Sequence, residues 1–150
     1  MLVPFMPGYQ TLADIVALEQ TPLSARPVGP DTFTMVQREA AINPQALALR
    51  FVLNSQKPTD SVDTTYAELL GYLRQTANLL HALGLGPIDM VSYLLPNLPE
   101  TTFVYCRGQA ADIVNPINLL LETAQIADIF NACGTKVLVT FRAFPKTDIW

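Results

Sequence analysis

A chain of 150 residues fits one domain, able to bury roughly 70% of the surface its unfolded form exposes. Half of its residues are hydrophobic and only 15% are charged, against about 25% in an average globular domain. Nine Lys and Arg against thirteen Asp and Glu give a net charge of −4, which excludes the basic surface that nucleic-acid binding requires.

The amino terminus, MLVPFMPGYQ, has no Lys or Arg before Arg26 and holds two early prolines, so it does not read as a signal peptide. Residues 1–30 read as an irregular arm and a Pro-rich linker, with a short helix over Tyr9 to Leu18. Asp31 is placed to cap a helix from Thr32 to about Ile42, with Phe33, Val36 and Ala40 on one face. Asn43-Pro44 stops it. Ala46 to Leu53 reads as a strand, and the polar run from Asn54 to Thr64 as a loop, or as the turn of a hairpin returning through Val62.

Thr65 and Glu68 form a capping box. Tyr66, Leu69, Leu70, Leu73, Ala77 and Leu80 then make one apolar stripe at helical spacing, and Gly84 ends the helix. Met90 to Leu95 is a strand. Asn97 is expected to cap the next helix, with Glu100 in its first turn. Ile113 to Ile117 is the following strand. Glu122 or Thr123 opens a helix with Ile126, Ile129, Phe130 and Cys133 on one face, and Gly134 closes it. Lys136 to Thr140 is a β-branched strand. Strands alternating with helices predict an α/β fold, a largely parallel sheet with right-handed crossovers and helices on both faces. Residues 31–150 read as one incomplete α/β unit of this kind.

The longest uninterrupted apolar runs are four residues, far short of the ~20 a membrane-spanning helix needs. Cys106 and Cys133 lie on amphipathic helices and read as reduced, buried thiols of a cytoplasmic protein. A mean hydropathy of +0.27 is high for so sparsely charged a chain. It leads us to expect a covering partner, or an exposed apolar face and self-association.

The candidates for chemistry are few. Gly84-Leu85-Gly86 begins like a dinucleotide-binding loop, but Pro87 interrupts it and it runs from a helix into a strand. Phosphate binding at a helix start needs the reverse order. His81, the single histidine, lies at a helix end, and nothing in the sequence brings it to Cys106 as a base for a nucleophile. Glu100, Asp112, Glu122 and Asp128 sit at helix ends or exposed faces, with no pattern holding two carboxyls together. One His and two separated Cys do not make a structural zinc site. Asn97 and Asn118 fall just past the carboxyl ends of parallel strands, the edge where open α/β sheets bind ligands. Capping and a turn, respectively, account for them. No residue is assigned as catalytic, cofactor-binding or metal-binding.

Several segments in order resemble AMP-forming acyl-CoA synthetases, a branch of the adenylate-forming (AMP-binding) enzyme superfamily. Thr65-Tyr66-Ala67-Glu68-Leu69 is similar to the family's T-Y-x-E-L, with Asn78 later in that helix. Gly84-Leu85 through Asp89-Met90-Val91 is similar to its G-V-x-x-G-D-x-V. Leu95-Pro96-Asn97 with Pro99-Glu100, Pro116-Ile117-Asn118, and Lys136 to Thr140 correspond to its L-P-N, P-E, P-x-N and K-V-L-V-T. Ile88 stands where the family usually has glycine, and Asp112 where it often has a small residue.

The resemblance implies the amino-terminal α/β subdomain of such an enzyme. The complete protein would activate a carboxylic or fatty acid with Mg-ATP and pass the acyl group to coenzyme A. Its phosphate loop, adenine and ribose motifs, hinge and carboxyl-terminal lysine are not found in this chain. The expectation is therefore a truncated chain without ligase activity, whose partners are the remaining subdomains. The alternatives are a free-standing binding or regulatory module of the same fold, or an unrelated flavodoxin-like binder.

Overall fold

The computed structural model describes residues 10–25, 29–111, 113–141, 143–144 and 147–148, with side chains through 106 and from 113 to 141 except those of 26–28. The first helix, α1 (Leu12–Glu19), opens with Thr11 and Asp14 capping each other and buries none of its residues. A single 3₁₀ turn (Leu23–Ala25) lies within the Pro-rich stretch. In α2 (Thr32–Ile42) the cap forms as the sequence suggests. The Asp31 carboxylate accepts the Thr34 N–H at 2.7 Å and the Thr34 hydroxyl at 3.0 Å.

The strands β1 (Leu47–Val52) and β2 (Ser61–Thr65) form an antiparallel hairpin. This is the hairpin returning through Val62, with Phe51 opposite Val62; the first strand is therefore not one of the parallel strands, since β1 pairs with β2 alone among the described residues. The physical reason is local. The polar loop of residues 53–60 returns the chain directly, so β1 finds its hydrogen bonds without a crossover helix. The hairpin is then fastened to the start of the next helix by the Tyr66 N–H on Ala46 O and the Ala67 N–H on Pro44 O, both 3.0 Å. Arg50 and Asp63 face each other across it in a two-pronged ion pair at 2.7 and 2.6 Å. Both side chains are exposed, so the pair adds little stability.

Helix α3 (Tyr66–Ala82) is the centre of the molecule. Thr65 and Glu68 close the capping box, and Leu69, Leu70, Leu73 and Leu80 of the apolar stripe are buried. Gly84 follows with φ of +84°, a left-handed conformation that glycine adopts without a Cβ penalty. Thr65→Ala is expected to cost about 1 kcal/mol, read as a lower urea midpoint at unchanged slope.

Three parallel strands make the main sheet: β3 (Met90–Leu94), β4 (Ile113–Pro116) and β5 (Thr135–Thr140), in the order β4-β3-β5. The helices α4 (Pro99–Ala111) and α5 (Thr123–Cys133) make the two crossovers. The first crossover moves from β3 to one side, and the second returns over β3 to the other. Right-handed connections in opposite directions put α4 and α5 on opposite faces. The α3–α4 face holds the core, with Leu80, Leu85, Val91 and Val104 buried together and Tyr93, Val137 and Val139 against them. On α5 only Ile126, Ile129, Phe130 and Cys133 are less than exposed, and none is fully buried. Gly134 ends that helix at φ +63°. Two short antiparallel strands, β6 (Ala143–Phe144) and β7 (Thr147–Asp148), follow β5.

Candidate functional site

The strand order reverses at β3, so the crevice of this sheet lies between the carboxyl ends of β3 and β5, with the end of β4 beside it. The polar side chains at this edge fasten backbone. The Thr140 hydroxyl donates to Leu94 O at 3.1 Å and ties β5 to β3. The Thr101 hydroxyl donates to Pro96 O at 2.6 Å and holds the turn that leads into α4. Asn118 forms an Asx turn, its Oδ1 accepting the Leu120 N–H at 3.0 Å, which is the turn role its sequence context suggests.

Asn97 departs from expectation. The helix begins at Pro99, so Leu98 takes the cap position and Asn97 stands exposed one residue outside it. Proline at the first helical position loses no helix hydrogen bond, because that N–H is unpaired in any helix. That position fixes the helix start later than an Asn97 cap would.

The other candidates are dispersed. Gly84-Leu85-Gly86 is a turn from α3 into β3, with the Gly86 N–H donating to Asp89 Oδ2 at 2.8 Å. No non-glycine residue among those described has a positive φ, so Ile88 stands in that turn without backbone strain. His81 is exposed in the last turn of α3, and no hydrogen bond joins it to Cys106 on α4. Both cysteines are free and half-buried, and burial raises the Cys106 thiol above its usual pKa, which disfavours the thiolate a nucleophile needs. Glu100, Glu122 and Asp128 are exposed on separate turns; Asp112 lies outside the described residues. Among the described residues no group of three His, Cys, Asp or Glu could hold a metal ion. The described residues of that edge include no Lys or Arg.

Two arrangements at the opposite, amino-terminal half of the sheet escape sequence reading. Across β3 and β5, Met90 pairs with Thr135 but Val91 with Val137, so Lys136 is an extra, bulged residue. Its Nζ lies 2.5 Å from Asp89 Oδ1. Next to it Ser92, fully buried on β3, has its Oγ 2.7 Å from Thr135 Oγ1 and accepts Asn115 Nδ2 at 3.1 Å. One polar chain thus crosses all three strands. The single signal for it in the sequence is one serine inside the apolar run Met90 to Leu95.

The hydrogen bond from Lys136, then that from the Gly86 N–H, holds the Asp89 carboxyl below the usual aspartate range. A carboxyl whose folded pKa lies below its unfolded one stabilises fully above the unfolded value, and that contribution is lost as pH falls through the folded value. Stability in urea is therefore expected to drop below about pH 4, and Asp89→Asn to show a smaller drop than the unmodified chain. Equal drops in both would remove Asp89 from the account.

The parallel sheet β4-β3-β5, with its crossover helices α4 and α5, defines an α/β fold. The chain belongs to the AMP-binding enzyme family, whose model matches residues 36–149. It is 34% identical over 132 residues to marinolic acid–CoA ligase of Pseudoalteromonas sp. (strain SANK 73390), covering 87% of this chain and 20% of that protein. It is 35% identical over 105 residues to feruloyl-CoA synthase of Amycolatopsis sp., covering 68% and 19%. Among solved structures it is similar to the N-terminal domain of FACL13 from Mycobacterium tuberculosis, with a TM-score of 0.66, 26% identity, and coverage of 75% of this chain and 27% of that one. The chain spans about a fifth of the length of the curated relatives it matches.

Proposed function

We propose that this chain is the amino-terminal portion of an AMP-forming acyl-CoA synthetase. The whole protein would activate a carboxylic acid, of the fatty-acid class in our reading, with Mg-ATP to the acyl adenylate. It would then transfer the acyl group to coenzyme A in the cytoplasm. The observation that carries this reading is the identity to a CoA ligase over 87% of the chain. In that protein the role of these residues is to build a sheet layer against which the ATP- and acyl-binding subdomains pack. The strand ends around Asn97, Asn118 and Thr140 would wall the acyl pocket without taking part in chemistry.

The 150 residues alone are expected to be inactive. Adenylation rests on cations and donors arranged around the transferring phosphoryl group, and enzymes lower such barriers by about 8–23 kcal/mol. Backbone-fastening hydroxyls and asparagines do not supply that. The test has two parts. An antibody to this chain is used to size the native gene product in cell extract. Acyl-adenylate and acyl-CoA formation is then measured with Mg-ATP, coenzyme A and a panel of carboxylic acids, for the native product and for the 150-residue chain. Turnover by a product several times heavier than 16.5 kDa is the expected result. Turnover by the short chain itself would overturn the division of labour proposed here, and a heavy product inert toward all acids would overturn the assignment.

A further inference from the structure

We draw no further inference here: the strongest candidate, the exposed apolar patch of Tyr72, Leu79 and Leu83 along one side of α3 and its C-cap, carries nothing, because nothing in the structure shows what covers it.

Discussion

Leu73→Ala is expected to cost about 2–5 kcal/mol, the range for removing a buried leucine when the surroundings collapse only in part. Leu73 is 0% exposed, at the middle of α3, with Leu69, Leu70 and Leu80 of the same stripe buried around it. A domain's whole stability is only about 5–15 kcal/mol. Among the described residues just ten apolar residues are buried, so the core that Leu73 belongs to is small. The variant is therefore expected to be largely unfolded, or to unfold at a much lower urea concentration. Leu79→Ala is the control on the same helix. Leu79 is 59% exposed, and a surface change there is expected to stay within about 0.5 kcal/mol. Equal losses at the two positions would mean that α3 is not buried along the stripe described.

The same imbalance gives structural content to the high hydropathy. Among the described residues seventeen large hydrophobic residues are exposed against the ten apolar ones buried. They include Leu12, Ile15 and Val16 on α1, which buries nothing of its own. Isolated exposed leucines need no explanation, but this many on a chain with so few charges leave apolar surface that hydrophobic association can use.

Legibility in the sequence follows the range of the interaction. Helix α3 was readable in full because its cap, stripe and terminal glycine all act within a few residues of one another. The half-buried face of α5 and the Asx turn at Asn118 were readable for the same reason. The membership of β1 was legible only as one of two alternatives, of which the hairpin through Val62 forms. Period and composition mark a strand, while its hydrogen-bond partner depends on whether the loop of residues 53–60 closes. Asn97 failed by one position, where a proline with fixed φ outweighed a good capping side chain. At the strand edge the residue types were visible, and their use in fastening backbone was not, since Thr140 and Leu94 meet only through β5–β3 pairing. The bulge at Lys136 and the polar chain through Ser92 depend on that register too, and register is a property of the assembled sheet.

That polar chain sets up the second large effect. Ser92→Ala leaves Asn115 Nδ2 and Thr135 Oγ1 without the partner they share inside the sheet, and is expected to cost about 1–3 kcal/mol. The loss of one hydroxyl's packing is small by comparison, so most of the cost is the desolvation of the groups left behind. The proportion can be separated. Thr135→Val keeps the shape and removes the hydroxyl, so Ser92→Ala combined with Thr135→Val leaves fewer orphaned groups than the serine change alone. The double variant is then expected to lose less than the sum of the single losses, with a coupling of about 0.5 kcal/mol or more for groups in direct contact. Strict additivity in urea unfolding would show that the two hydroxyls do not depend on each other. The bulge would then hold β5 in register through Lys136 and Asp89 without help from the buried pair beside it.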